Sequence, residues 1–296
     1  EISTNAGRIQ HVTLGGPKES KDRVFYSVGG LVVGVSKKGK EFFKLSTNSS
    51  EKVRSMFVED ARIYTAGDYV CNLFEDGKFA GYYNCPDKIC GFAAAKHPSK
   101  KGHFVLLGCE SRNIRVLSPD LDLISNTSVK GNVSAIHVLS SGRSPTDGDD
   151  ASDVSSSKHR STASKSGDKG DVQRVVYGTK GGMLGMLSIR TSADAKSSFV
   201  ETEWTCEALR DASGINAIKS YDITADGSED LIVGYDNGTV QVLSLDERFA
   251  SPRVQFQDTL GESIRSVDAG NVSAPDFDDI VVSTFSGRVV SFTTEP

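Results

Sequence analysis

Leu231-Ile-Val-Gly-Tyr-Asp-Asn-Gly-Thr-Val-Gln-Val-Leu243 is the stretch whose reading decides the fold. Three apolar residues lead into Gly234, the polar Asp236-Asn237-Gly238 follows, and an apolar/polar alternation begins at Val240. Two runs of β-branched residues around a tight turn predict a β-hairpin, with the Asn-Gly pair supplying the positive φ such turns need. The same register returns at Val175 (VVYGTKGGMLGML) and at Ile280 (IVVSTFSGRVVSF). A weaker copy starts at Val105 (VLLGCESRNIRVL), with Asn113 near its turn. A hairpin that recurs is a repeat, and a repeat has to be recognised before any fold is assigned.

Working outward, a short apolar strand precedes each hairpin: Ile9–Leu14, Val53–Val58, Ile89–Ala94, Val133–Leu139, Ile215–Tyr221 and Ile264–Ala269. One interval is much longer than the others and contains residues 140–170, with ten serines, five aspartates and only Val154 as a large aliphatic. Such a segment cannot bury enough apolar surface to offset its chain entropy, so it is expected to be a disordered insertion within a blade. Without it the strands recur every 36–51 residues, the length of one four-stranded propeller blade. The expected fold is therefore all-β: one β-propeller over residues 1–296 with six blade units. Residues 1–5 read as the last strand of a preceding blade, and the sixth unit stops after its third strand at Phe292. Either residues 1–5 close a six-bladed ring, or the chain is most of a seven-bladed ring whose first blade is truncated. The non-Met start favours the second. Helical periodicity appears only near Cys206–Arg210.

The chain has 296 residues and a net charge of -5. No basic surplus draws it to nucleic acid or anionic lipid, and no apolar run reaches the ~20 residues of a membrane span. Five irregularly spaced cysteines read as reduced thiols and not as a disulfide framework.

Candidate chemistry is sparse. Asp222, Asp226 and Asp230, with Gly227 inside the loop, resemble the calcium loops of integrin-type FG-GAP propellers, which would make an adhesion or ligand-binding propeller the alternative function. A hard cation wants six to eight oxygens, and position 3 of this loop lacks its carboxylate. The competing reading is a turn whose Asp side chains accept from backbone N–H groups. Cys85 and Cys90 lack a second Cys/His pair for zinc. His97 and His103 flank the polar Pro98–Gly102 and are expected to be solvated loop residues, whereas His11 and His137 fall in first strands and are expected to be packed or hydrogen-bonded. Gly178-Thr-Lys-Gly-Gly182 sits at the hairpin position and lacks P-loop spacing. No Gly-x-Ser-x-Gly elbow occurs, and no His, Glu or Arg repeats at matching blade positions. No catalytic, cofactor or metal residue is assigned, and the reading is non-enzymatic.

Two stretches carry a resemblance. One is Lys37-Lys-Gly-Lys-Glu-Phe42 with Thr47-Asn48 and Val53-Arg-Ser-Met56. The other is Tyr221 to Val242, continued by Val281-Val-Ser-Thr-Phe-Ser-Gly287 and Thr293-Thr-Glu-Pro296. Together they resemble the N-terminal propellers of the Bardet–Biedl syndrome protein 7 family, subunits of a ciliary coat-like complex, the BBSome. The resemblance covers essentially the whole chain except residues 140–170. It implies a seven-bladed propeller with its first blade mostly missing, no catalysis and no cofactor. It also implies an adaptor that pairs with Bardet–Biedl syndrome proteins 2 and 9, and a complex that binds ciliary membrane cargo, is recruited by an Arf-like small GTPase and travels with intraflagellar transport particles. The implied locations are cytoplasm, basal body and cilium. No ligand motif transfers residue by residue, so no binding residue follows from it.

Overall fold

The structure, a computed structural model, describes residues 7–15, 23–47, 50–139, 172–192, 197–207, 213–245, 252–274 and 277–294. They form six antiparallel sheets, each drawn from one contiguous part of the chain. The first holds β1 (Ile9–Gly15), β2 (Arg23–Val28), β3 (Leu31–Val35) and β4 (Glu41–Ser46). The second holds β5 (Ser55–Glu59), β6 (Arg62–Ala66), β7 (Val70–Glu75) and β8 (Lys78–Asn84). The third holds β9 (Ile89–Lys96), β10 (His103–Cys109), β11 (Asn113–Leu117) and β12 (Leu123–Ser128). The fourth holds β13 (Val133–Val138), β14 (Val172–Thr179), β15 (Met183–Thr191) and β16 (Ser198–Glu207). The fifth holds β17 (Ile215–Tyr221), β18 (Asp230–Tyr235), β19 (Thr239–Ser244) and β20 (Arg253–Thr259). The sixth has three strands, β21 (Ile264–Gly270), β22 (Asp279–Thr284) and β23 (Val289–Thr293).

The first strands β1, β5, β9, β13, β17 and β21 pack side by side in that order, and the sheets radiate from them around a central axis. This is a six-bladed β-propeller. Residues 1–5, expected to be a strand, and the insertion at 140–170 lie outside the described residues. The helical hint near Cys206 is not borne out: Cys206 is in β16 and pairs with Leu184, while 208–210 are not described.

Strand alternation explains where the core sits. Leu231 and Val233 face the fourth blade, in one cluster with Val176 and Leu184. Ile232, Val240 and Val242 face the sixth, in another with Ile264 and Val282. Each seam between consecutive blades has such a cluster. A further group, Tyr26, Val28, Val33 and Val35, lies on the face of the first blade turned away from the second. Burying both faces of a strand needs near-continuous apolar runs, which is why β10 reads HFVLLGC and is buried throughout.

The recurring glycines fit the same seams. An added Cβ at Gly108 would lie 2.4 Å from Val133 Cγ1, at Gly178 2.4 Å from Ile215 Cγ2, and at Gly234 2.5 Å from Ile264 Cγ2. Each glycine is next to last in the second strand of its blade, and each makes room for the first residue of the next blade's inner strand. What approaches is a β-branched side chain, not the backbone that a strand glycine usually admits. The hairpin turns also differ in detail from the expectation. Gly238 alone takes a positive φ, +89°, as Gly182 (+78°) and Gly287 (+88°) do in their turns. Asn237 instead uses its Oδ1 to accept the Thr239 amide at 3.1 Å. In the weaker third copy Arg112 occupies that left-handed position, φ +65°.

Candidate interaction surfaces

The mouth of the ring is built from bulges. Between the first and second strands of five blades the register slips by one residue, and the extra residue is Gln10, Cys90, Ser134, Asn216 or Arg265. A bulge frees a side chain from the ladder and re-aims it. Here it ties turns and blades together. Gln10 Oε1 accepts the Gly29 amide at 2.7 Å. Ser134 donates to the Ile215 carbonyl of the next blade. Asn216 Nδ2 donates to the Ile264 carbonyl at 3.1 Å and to Asp236 at 3.2 Å. Arg265 lies 4.6 Å over the Phe285 ring. Sequence reading missed these positions because a bulge is a property of the pairing and leaves only an out-of-phase polar residue behind.

Beside this mouth a cavity of about 490 Å³ is lined by Arg8, Ile9, Gln10, Lys52, Arg54 and Arg265, so the sixth blade faces the first and second across it. Arg54 is paired with Asp68 at 2.7 Å. The nearby Asp236 is held ionised by bonds from Ser263 and Asn216. The lining is cationic in an acidic chain, and it offers charge to an anion but no general acid or base.

The Asp222–Asp230 loop is a turn. Asp222 accepts from the Asp226 and Gly227 amides at 3.0 and 2.9 Å. Asp226 accepts from the Ser228 amide at 2.8 Å, and Asp230 from Thr224 N and Oγ1 at 3.2 and 2.9 Å. The three carboxylates thus serve different local donors and do not converge. Among the described residues no group of three or more His, Cys, Asp or Glu is arranged to hold a metal.

Two histidines overturn their expectation. His97 and His103 are 4% and 3% exposed. His97 Nδ1 accepts from the Lys100 amide at 2.9 Å and its ring packs 4.5 Å from Phe104. His103 opens β10, and its Nε2 lies 3.1 Å from Glu59 of the second blade. The polar turn between them made both look solvated, but the strand ends that carry them are already inside a seam. His137 is packed as expected: its Nε2 is 2.9 Å from Ser220 Oγ and accepts the Ser220 amide at 3.1 Å. Burial, and repulsion from Lys219, hold its imidazole down at about 4. This Ser–His contact does not make a nucleophile. The imidazole nitrogen is shared with a backbone amide, and the neighbouring Asp268 is paired with Lys219 at 3.0 Å.

Apolar side chains remain on the outside. Phe79 and Tyr82 of β8 are 56% and 58% exposed and stack with centroids 6.2 Å apart. Phe42 of β4 is also exposed and carries the Arg23 guanidinium 4.9 Å over its ring. Val12 and Leu14 of β1, and Phe285 and Val289 of the sixth blade, are exposed as well. Among the described residues no helix is long and apolar enough to cross a membrane.

Radiating antiparallel blades packed seam to seam, with apolar side chains left on their rims, define a β-propeller of the scaffold type. The BBS7 beta-propeller family model matches residues 3–294, and the chain belongs to that family. It is 30% identical over 293 residues to the mouse BBSome complex member BBS7, covering 98% of this chain and 36% of the relative. It is 25% identical over 292 residues to BBSome complex member bbs-7 of Caenorhabditis elegans, covering 96% of this chain and 35% of the relative. The chain therefore spans about a third of the length of these relatives. Among solved structures, Sqt1 of Saccharomyces cerevisiae superposes with a TM-score of 0.61 at 10% identity, over 93% of this chain and 68% of that one. At that identity the likeness speaks for the propeller fold alone.

Proposed function

We propose that the protein is an adaptor subunit of a BBSome, a coat-like complex that sorts membrane proteins to and from cilia. The observation that carries this reading is the family match, which runs through all six blades. In this reading the protein pairs with Bardet–Biedl syndrome proteins 2 and 9 and works at the basal body and cilium. It meets the Arf-like GTPase, membrane cargo and intraflagellar transport particles through the complex. The rim formed by Phe79 and Tyr82 suits such pairing, because aromatic residues are enriched in the buried centres of protein interfaces.

Affinity purification of the tagged full-length protein from ciliated cells, read by mass spectrometry, tests the assignment. Recovery of the other BBSome subunits in near-equal amounts is the expected result. Recovery of the protein alone, or with unrelated partners, overturns it.

A further inference from the structure

Three of the five cysteines meet at the seam of the second and third blades. Cys71 lies in β7, Cys85 follows β8 and Cys109 ends β10, and all three are buried in one apolar cluster. The sulfurs of Cys85 and Cys109 are 3.7 Å apart although the residues are 24 positions apart in the chain. A disulfide needs roughly 2.05 Å between sulfurs, so closing the pair takes a shift of under ~2 Å. Cys85 is placed to make that shift, because it sits where β8 ends and the Pro86–Asp87 turn begins.

The two thiols are not equivalent. The contact with Cys109, the Asp87 amide and the Arg115 guanidinium favour the Cys85 thiolate and lower it, with burial working against them. The Asp87 carboxylate opposes them, but it is engaged by the Ser111 amide at 2.6 Å. Cys109 is pushed up by its contact with Cys85 and by burial, and its thiol donates to the Leu107 carbonyl at 3.6 Å. An activated thiolate therefore lies against a second thiol, which is the arrangement of an attacking and a resolving cysteine. The more exposed Cys90 and Cys206 are both raised, Cys206 to about 11, chiefly by desolvation.

We propose that Cys85 and Cys109 are a peroxide-reactive pair that forms a reversible disulfide between the second and third blades. The Cys85 thiolate attacks one oxygen of hydrogen peroxide, and the O–O bond breaks. The leaving hydroxide takes up a proton as water, and Cys85 becomes a sulfenic acid. The Cys109 sulfur then attacks the sulfenic sulfur, its proton goes to the departing hydroxyl, and a second water leaves. Two thiols lose two electrons in all, and one peroxide becomes two waters. A dithiol reductant reverses the bond. The bond would fasten the seam at which consecutive inner strands, β5 and β9, touch over the shortest stretch.

The test is to expose the native protein to stoichiometric hydrogen peroxide at pH 7, alkylate remaining thiols, digest and read the cysteine peptides by mass spectrometry. The expected product is a Cys85–Cys109 cross-linked peptide that forms at least tenfold faster than oxidation at Cys90 or Cys206. In Cys109→Ser, a sulfenic acid at Cys85 should accumulate and be trapped by dimedone. Exposure alone predicts the opposite order. First oxidation at Cys90 or Cys206, or a bond from Cys85 to Cys71, overturns the proposal, and the wild-type protein alone suffices to show it.

Discussion

At Gly234 one hydrogen atom separates a packed seam from a clash. A Cβ there would meet Ile264 Cγ2 at 2.5 Å and Ile264 Cβ at 3.0 Å, and a Cβ atom cannot swing aside as the end of a long side chain can. Gly234→Ala is expected to cost about 1–3 kcal/mol, the range for overpacking a filled interior, and Gly178→Ala should match it. Urea denaturation of both variants checks this, and unchanged midpoints would count against the register. His137 gives a second outcome at this scale. Unfolded, its imidazole takes up a proton below about pH 6.5, whereas in the fold it does so only near 4. The folded pKa is the lower one, so the unfolded state binds the extra proton, and stability is lost as pH falls from 6.5 toward 4. The loss amounts to about 3 kcal/mol at most. His137→Gln should flatten that acid limb, measured by thermal melting at pH 7 and pH 5. The glycines themselves were legible as a repeat. The partner atom of each lies in the following blade, some 25 to 40 positions on, and no local pattern announces it.

The hairpin is the element that repeats, and its turn decides how well. Arg112 holds the left-handed position that glycine takes in three sister turns, and a side chain there is strained by about 1–3 kcal/mol. Arg112→Gly should therefore raise stability by about 1 kcal/mol, less whatever entropy the glycine adds to the unfolded chain; the same denaturation assay reads it. The loop before β18 is stabilised differently. Removing the Asp222 caps in Asp222→Ala should cost about 1 kcal/mol, and calorimetric titration with calcium should give no heat in either form. Composition showed the hairpins well, because positive-φ residues and β-branched runs are local. It misplaced His97 and His103, because the charge of the Pro98–Gly102 turn outweighed the seam that receives its two ends. It could not show the bulges between third and fourth strands, at Gly34/Val35, Leu73/Phe74, Val116/Leu117, Met186/Leu187 and Val242/Leu243. These follow from how the twisted outer strand meets its neighbour.

For the molecule as a whole, the spacing of the inner strands was enough to identify a propeller, because a blade is a fixed length of chain. Partner surfaces were not legible in the same way: Phe79 and Tyr82 lie on the second blade and Phe42 on the first, and together they form no motif along the chain. Phe79→Glu with Tyr82→Glu should cost about 1 kcal/mol, since both side chains are more than half exposed and the main loss is the edge-on contact of Phe79 with the seam residue Phe74 at 5.9 Å. In the full-length protein the pair should reduce recovery of the partner subunits, read by quantitative co-purification. Equal recovery would move the docking surface elsewhere.

The fourth blade has one more property. Val138 pairs with Val175, and the Leu139 amide donates to the Arg174 carbonyl at 3.0 Å, so the two described ends of the connection between β13 and β14 meet on one ladder. Closing a loop on a fixed rung costs only about 0.6 kcal/mol for each doubling of its length. Evolution could therefore lengthen this connection with little penalty. An experimenter can do the same: a fluorescent protein or affinity tag spliced between residues 140 and 170 would report on the propeller in living cells while leaving every blade its own strands.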